Sequence, residues 1–283
     1  MAWKASTRPL SQTESALVDF PSYSWVFGCS PVAAVMIAAY YDRGAYVNIY
    51  TGPTAGSEMP VTDSSWPVWM DETDSYVSNP LVASQNGIDG RQTKGSIDDY
   101  RVAYGSSLND PYLTRGWPQH SWGDALGDYM KTSQSAFGNS DGSTLFSSWS
   151  ASPDPPLDGD TMVAYNLYDG TLGQKLFYEA RGYSVSECYN QKTDNHGGGF
   201  TLADFQAEID SGNPVILNLA GHSIVGYGYD GSTIYIRDTW SSNPDFTWGT
   251  QYDGMNLLAV SVIRLSPLSQ APTYQVWLSW VDN

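Results

Sequence analysis

A glycine, a cysteine and a proline open the most apolar stretch of the chain, and this stretch restricts the possible folds more than any other feature. Residues 31–41 contain only proline, alanine, valine, methionine, isoleucine and tyrosine, with no charged side chain. Pro31 is tolerated in a first helical turn, where its missing N–H would have no partner in any case. A helix that is apolar on all sides is a buried one. We therefore predict a central buried helix over residues 29–43, capped by residues 42–44.

Cys29 stands at the N-terminus of this predicted helix. Unpaired backbone N–H groups and the helix dipole at that end favour a thiolate over a thiol. A nucleophile would be built in this way, but a small buried thiol at the start of a core helix would have the same sequence. Cys188 is the only other cysteine, and a disulfide between the two would exclude the nucleophile.

The charge balance excludes several classes of partner. The formal net charge is −17, from 13 Lys and Arg against 30 Asp and Glu, which argues against nucleic acid and anionic membranes. No window holds the roughly 18 continuous apolar residues of a membrane helix. Residues 1–6 lack the apolar segment of a signal peptide, so the protein is either cytosolic or has had a signal peptide removed. Acidic surfaces of this kind are common in secreted bacterial and archaeal proteins, and we expect a secreted, prokaryotic monomer without a cofactor.

The order of predicted elements indicates one α+β domain over residues 1–283. Residues 1–20 are predicted to be a weakly structured arm, residues 21–160 a helical lobe, and residues 161–283 a lobe of antiparallel sheet. Frequent Gly, Pro, Ser and Asp predict a loop-rich insertion over residues 46–120. Further helices are predicted over residues 121–134, 170–181 and 201–210. Strands are predicted over residues 183–189, 215–219, 223–229, 233–237, 255–265 and 274–280, with an Asp230-Gly231 hairpin turn.

A histidine and an aspartate in the predicted sheet complete a catalytic set with Cys29. His222 begins one strand of the predicted hairpin, and Asp238 ends the neighbouring strand, so the two side chains are expected to lie within reach of each other. A thiolate nucleophile needs an imidazole to hold the proton, and the imidazole needs a third group to fix its tautomer. The alternative for each residue is structural: a histidine at a strand start, and an aspartate that caps a turn.

The residues around this set resemble a known family. Gly28-Cys29-Ser30-Pro31 before an alanine-rich helix resembles the Gly-Cys-Gly-Pro motif of the bacteriocin-leader-processing (double-glycine, C-39 like) cysteine peptidases and their secreted relatives, in the papain-like superfamily. Residues 209–216, with Gly212-Asn213-Pro214-Val215-Ile216, are similar to the helix and strand that precede the family's histidine. The likeness covers residues 20–45 and 165–242. It implies a papain-like fold, with a helical lobe packed against an antiparallel sheet lobe, and peptide or protein substrates.

Two positions depart from the family's pattern. Ser30 replaces the second glycine of the motif, which is a minor change. The glutamine that helps to bind the oxyanion usually lies about six residues before the cysteine, and Tyr23 occupies that position. Tyr23, Ser24 or a glutamine from elsewhere would have to assist the Cys29 backbone N–H, and loss of one oxyanion donor costs about a hundred- to a thousand-fold in rate.

Three functions follow from these residues. The first is a cysteine peptidase or amide hydrolase that uses Cys29, His222 and Asp238 through a thioester. The second is an inactive peptidase-like domain that binds peptide or glycan, and the missing glutamine favours it. The third is an acyltransferase or transglutaminase-like enzyme, in which an amine intercepts the thioester.

Other candidate sites have weaker patterns. His120, Asp124 and Asp128 share a helical spacing that would suit a metal, but glycines interrupt the helix. Residues 139–144 resemble part of a calcium loop without its closing glutamate, and a plain turn explains them better. Aromatic residues of the insertion and its flank would suit a peptide or glycan cleft or would pack the insertion; they are Trp66, Trp69, Tyr76, Trp117 and Trp122.

Overall fold

The structure, a computed structural model, describes residues 14–25, 28–47, 49, 58–62, 68–70, 75–77, 79, 81–82, 125–132, 137–139, 142–150, 153–195, 197–240 and 244–268. Within these ranges one large antiparallel sheet carries helices packed against it, which is an α+β architecture. The helices are α1 Cys29–Asp42, α2 Leu126–Tyr129, α3 Gly159–Ala164, α4 Gly170–Ala180 and α5 Leu202–Asp210.

Nine of the described strands form the main sheet, in the order β4-β5-β11-β6-β7-β8-β9, with β1 on β7 and β10 on β11. A separate hairpin pairs β2 with β3. The strands are β1 Glu14–Ala16, β2 Val68–Met70, β3 Ser75–Val77, β4 Leu157–Asp158, β5 Val185–Lys192, β6 Val215–Leu219, β7 His222–Asp230, β8 Thr233–Arg237, β9 Asp245–Thr247, β10 Gln251–Tyr252 and β11 Met255–Leu265.

Helix α1 is the centre of the core, as its sequence predicts. Every residue of α1 except Cys29 and Tyr40 is buried, and the helix packs against β7. Its last residue, Asp42, is a buried carboxylate that accepts hydrogen bonds from the backbone N–H groups of Ile49 (2.7 Å) and Met59 (2.9 Å). Asp42 therefore fastens the first part of the predicted insertion to the end of α1.

The predicted hairpin and two of the predicted helices are confirmed. β7 and β8 pair with Asp230 opposite Thr233, and Gly231 has the positive φ of 58° that the tight turn requires. Helix α4 has Asp169 as its N-cap. Helix α5 begins with a capping box in which Thr201 and Asp204 exchange hydrogen bonds.

Several predicted boundaries are wrong. Residues 14–16 of the predicted arm form β1, which pairs with β7. Of the helix predicted over residues 121–134, the structure describes residues 125–132, and only the short α2 is helical there, because Ala125 is extended before it and Lys131 has a φ of 57° after it. Helix α3 was not predicted, since six residues are too few to show a helical period. The strand predicted over residues 274–280 lies outside the described residues.

The described part of the chain contains no helix that is both long and apolar enough to pass through a lipid bilayer.

The sheet is completed by strands that are distant in sequence, because β11 lies between β5 and β6. The predicted strand over residues 255–265 is thus the central connection between the two groups of strands.

An ion pair between a buried carboxylate and a partly exposed guanidinium fixes α5 on the sheet. Glu208 of α5 is 4% exposed and accepts two hydrogen bonds from the Arg264 guanidinium of β11, one of them 2.8 Å from Nε to Oε2. The hydrogen bond to Glu208 is the main reason why the pKa of Arg264 is raised. Asn213 Nδ2 donates to the same carboxylate at 3.1 Å.

We expect Arg264→Leu to lower the free energy of unfolding by about 2–4 kcal/mol, because it leaves the buried Glu208 carboxylate without its cation. Urea unfolding followed by circular dichroism measures the change. The double variant Arg264→Leu/Glu208→Leu should recover much of the loss, since no buried charge remains. Equal stability of Arg264→Leu and the wild type would contradict this account of the pair.

Candidate active site

The start of α1 is shaped by close backbone packing. Gly28 precedes the helix with φ 153° and ψ 139°, and a Cβ at this position would lie 2.7 Å from the Gly142 carbonyl oxygen. No L-residue fits there without moving the loop. Cys29 is the first helical residue and is half-buried, and both Cys29 and Cys188 are free thiols. The disulfide that would have excluded a nucleophile is therefore not formed.

The Cys29 sulfur lies against the first residues of β7. Ser223 follows His222 and donates its backbone N–H to Cys29 Sγ at 3.4 Å. Cys29 and His222 also line the same cleft. Two residues that are 193 positions apart in the sequence therefore lie in one cleft.

His222 is held by a backbone carbonyl. Its Nε2 lies 2.9 Å from the Asp238 carbonyl oxygen, which can only accept, so Nε2 carries the proton of this hydrogen bond. In the neutral ring, Nδ1 then has the free lone pair and can accept a proton. The His222 residue as a whole is 5% exposed.

Asp238 therefore reaches His222 in a different way from the predicted one. The prediction has the Asp238 side chain orient the imidazole, whereas the backbone oxygen makes the hydrogen bond. The Asp238 carboxylate accepts from the Trp240 N–H at 2.9 Å and from the Tyr252 hydroxyl at 2.5 Å. These two bonds fix the turn that presents the Asp238 carbonyl to the ring.

Trp240 is a site residue that the sequence analysis did not single out. Its indole stacks on the His222 imidazole with ring centroids 3.7 Å apart and an angle of 6° between the planes. The stack covers one face of the imidazole, while 54% of the Trp240 surface stays exposed. The signal available in the sequence was the position of Trp240 two residues after Asp238. An aspartate side chain often accepts a hydrogen bond from the backbone N–H two residues later, and Asp238 accepts one from Trp240.

A continuous row of buried hydrogen bonds supports the site from below. Each of four adjacent strands contributes one polar side chain to this row. Ser30 of α1 forms one end of the row, and Asp169 at the N-cap of α4 forms the other. The successive distances are 2.8, 2.9, 2.8, 2.7 and 2.8 Å. The row runs Ser30, Ser223, Asn218, Ser261, Asn190, Asp169.

The direction of each hydrogen bond in this row is determined. The Ser223 hydroxyl donates to Asn218 Oδ1, and it has only one proton, so Ser30 must donate to Ser223. Ser30 replaces a glycine of the resembled motif, and a glycine could not make this bond. The replacement is therefore structurally important here, contrary to the expectation that it is a minor change.

The two predicted oxyanion residues, Tyr23 and Ser24, are not among the described residues that line the cleft of Cys29 and His222. Tyr23 is 2% exposed, and its hydroxyl donates to the Pro60 carbonyl oxygen at 2.5 Å, while its backbone N–H points to Met36 Sδ at 3.4 Å. Ser24 is exposed. Trp25, by contrast, does line the cleft. The backbone N–H of Cys29, in the first turn of α1, has no partner within the helix.

The cleft at Cys29 has a volume of 760 Å³. Its walls are the start of α1, the loop over residues 142–148, the β6–β7 turn and the side chain of Trp240. A second cavity of 410 Å³ lies at the other end of α1 and contains no predicted catalytic residue.

The other candidate sites gain no support. Among the residues that the structure describes, no three His, Cys, Asp or Glu side chains form a group that could hold a metal ion. His120, Asp124 and part of the 139–144 loop lie outside the described residues, as do Trp66, Trp117 and Trp122. Asn139 belongs to a turn in which its Nδ2 donates to the Lys131 carbonyl oxygen at 2.8 Å.

Comparison with known proteins agrees with the resemblance found in the sequence. Residues 157–253 match the model of the Peptidase_C39 like family. The match contains His222 and Asp238 and covers about a third of the chain, while Cys29 lies before it. No curated protein and no solved structure matches the chain. The sheet half of this protein therefore resembles the C39-like cysteine peptidases of the papain-like class.

We expect the pKa of His222 to be below 6.5. Burial disfavours the imidazolium, and the hydrogen bond and charge of Asp238 and the charge of Asp253 only partly oppose this effect. NMR titration measures the pKa, and His222→Ala assigns the signal among the three histidines. Trp240→Ala should raise the pKa of His222 toward 6.5 by exposing the ring. A wild-type pKa at or above 6.5 would contradict this expectation.

The same shift gives the sign of a stability effect. Between pH 6.5 and the lower pKa of the folded state, the unfolded chain binds a proton at His222 that the folded chain does not bind. The free energy of unfolding therefore decreases as the pH falls through this range.

We expect Ser30→Ala to lower the free energy of unfolding by about 1 kcal/mol, because Ser223 loses the hydrogen bond that it accepts while both residues stay buried. Urea unfolding measures the change. Ser184→Ala, at an exposed position, is the matched control and should change stability by less than about 0.5 kcal/mol. Equal effects of the two variants would show that the row of hydrogen bonds does not stabilise the fold.

Proposed function

We propose that the protein is a cysteine peptidase or amide hydrolase with a papain-like arrangement of its two halves. The observation that carries the proposal is the meeting of a half-buried thiol at a helix N-terminus with a histidine fixed by a carbonyl and an indole, in one cleft. The family match to the sheet half supports the same class.

In the proposed reaction, His222 Nδ1 takes the proton of the Cys29 thiol. The sulfur attacks the carbonyl carbon of the substrate, and the resulting oxyanion lies at the N-terminus of α1, where the Cys29 N–H can donate to it. The His222 imidazolium then gives its proton to the leaving amine, the C–N bond breaks, and a thioester remains on Cys29.

Water completes the cycle. His222 takes a proton from the water as the water oxygen attacks the thioester carbonyl, and the C–S bond breaks. The carboxylic acid leaves, and the proton returns from His222 to the Cys29 sulfur. Throughout, the Asp238 carbonyl stabilises the imidazolium through Nε2–H, and Trp240 keeps the ring from turning.

An inactive peptide-binding domain is the second candidate. The observation in its favour is Tyr23, whose hydroxyl is bonded to Pro60 at the position where the resembled family has its oxyanion glutamine. The substrate in either case is proposed to be a peptide or protein, and secretion and the monomeric state stay predictions. An acyltransferase differs from the peptidase only in the amine that would intercept the thioester.

We expect iodoacetamide at neutral pH to modify Cys29 much faster than an ordinary thiol. His222→Ala should slow the reaction about 100-fold, since general-base assistance contributes on the order of 10²–10⁴. Intact-mass spectrometry and peptide mapping follow the adduct. Cys188 is an internal control, because burial raises its pKa to about 12 and it should stay unmodified in the folded protein.

Turnover separates the two candidates. A peptide library incubated with the wild type and with Cys29→Ala should give cleavage products only with the wild type. Peptide binding by both proteins without cleavage would support the binding domain. A Cys29 that reacts like a free thiol, at the same rate in His222→Ala, would overturn the peptidase.

A further inference from the structure

The cleft differs in charge from the rest of the protein. The chain carries 30 acidic residues against 13 basic ones. Among the described residues that line the cleft, Lys192 is the one with a full charge at neutral pH, and no carboxylate lines it. In the described part of the cleft, a substrate therefore meets one cation inside an acidic protein.

The register of the sheet fixes where this cation lies. Ser223 of β7 is opposite Asn218 of β6, Asn218 is opposite Ala259 of β11, and Ala259 is opposite Lys192 of β5. Directly paired residues project from the same face of a sheet, and all four line the cleft. They form a floor that begins beside Cys29 and ends at Lys192.

The strand spacing converts this register into a length. Three steps between neighbouring strands separate Ser223 from Lys192, which is about 14 Å at about 4.8 Å a step. An extended peptide advances about 3.3 Å per residue, so about four residues of substrate span the floor.

The Lys192 ammonium is available for a ligand. In the described part of the chain its nearest carboxylate oxygen is Asp154 Oδ1, at 4.0 Å, which is too long for a hydrogen bond. Asp154 is 3% exposed and does not line the cleft. It attracts the ammonium by charge alone, and the N–H donors of Lys192 make no hydrogen bond to any residue that the structure describes.

The cleft also carries exposed apolar surface beside its polar lining residues. Four large hydrophobic side chains that line the cleft are more than a third exposed, and they offer apolar surface to a bound chain. They are Trp25, Leu145, Trp240 and Leu258.

We propose that Lys192 is a specificity residue that binds a carboxylate of the substrate about four residues from the bond attacked by Cys29. The preferred substrate is then an extended peptide with uncharged, apolar residues along the cleft and an acidic side chain, or its own terminal carboxylate, at the Lys192 end. This inference rests on the proposed function, because the bond position is counted from Cys29.

The test starts from an uncharged peptide that the wild type cleaves. Matched peptides carry Glu or Gln at each position on both sides of the cleaved bond, with blocked termini. A further series ends in a free carboxylate at the same positions, which separates an acidic side chain from a chain terminus. The measured quantity is kcat/KM for each charged peptide divided by that for its neutral partner.

We expect this ratio to be about ten at one distance, close to four residues from the bond, because a hydrogen bond between the Lys192 ammonium and a carboxylate is charge-assisted and stronger than one to a neutral amide. Lys192→Met should bring the ratio to about one, and Lys192→Glu should reverse the preference. Asp154→Asn should increase the ratio, since it removes the competing carboxylate. Lys175→Met is the matched control, because Lys175 pairs with Glu179 on α4 away from the cleft, and it should keep the wild-type ratio.

Failure of this inference is distinct from failure of the peptidase. Cleavage that depends on Cys29 with equal rates for Glu and Gln peptides overturns the role of Lys192 and leaves the peptidase intact. If no peptide is cleaved, the proposed peptidase activity is overturned, and the binding affinities of the same peptides then test Lys192. Tighter binding of the Glu peptides than of the Gln peptides, lost in Lys192→Met, supports the Lys192 site. Equal affinities of the Glu and Gln peptides overturn it.

Discussion

The row of hydrogen bonds from Ser30 to Asp169 is the interaction on which the arrangement of this molecule depends. It crosses four strands that come from distant parts of the sequence and joins the starts of two helices to them. Each group in the row is buried and satisfied, so a shift of one strand would leave unpaired donors and acceptors at a cost of about 1–3 kcal/mol each. The row therefore selects one register among strands that apolar packing alone would allow to slide.

The position of Cys29 follows from that register. Ser30 is bonded to Ser223, and these residues are the immediate neighbours of Cys29 and His222. A single hydrogen bond of 2.8 Å thus links the helix that carries the thiol to the strand that carries the imidazole. Gly28 adds a second restraint, because its close approach to the Gly142 carbonyl fixes the backbone just before Cys29.

The surroundings of His222 combine two opposing effects. Burial under Trp240 and in the sheet disfavours the imidazolium, whereas the Asp238 carbonyl favours it. The balance leaves a neutral base whose free lone pair is on Nδ1, since Nε2 is committed to the carbonyl. The Asp238 backbone carbonyl can orient the ring as a carboxylate does. The Asp238 carboxylate instead accepts hydrogen bonds from Trp240 and Tyr252 and so holds the turn.

Local pattern was enough to predict several elements of the fold. The uncharged run after Pro31 can only be a buried helix, Thr201 and Asp204 form a capping box, and Asp230-Gly231 favours a tight hairpin. These features are short-range, so their energies are decided by neighbouring residues. The strand β1 is not visible in the local pattern because it forms by pairing with β7, and α3 is not visible because its six residues are too few to show a helical period.

Composition and local pattern established which residue types were available for the chemistry: one thiol at a helix start and few histidines to pair with it. Which atoms meet followed from the packing of distant segments. This packing turned the Asp238 carbonyl toward His222, brought Trp240 over the ring, bonded the Tyr23 hydroxyl to Pro60 and aligned Lys192 with Ser223 across the sheet. The physical reason is that side-chain direction and strand order depend on contacts between distant residues, which no local pattern contains.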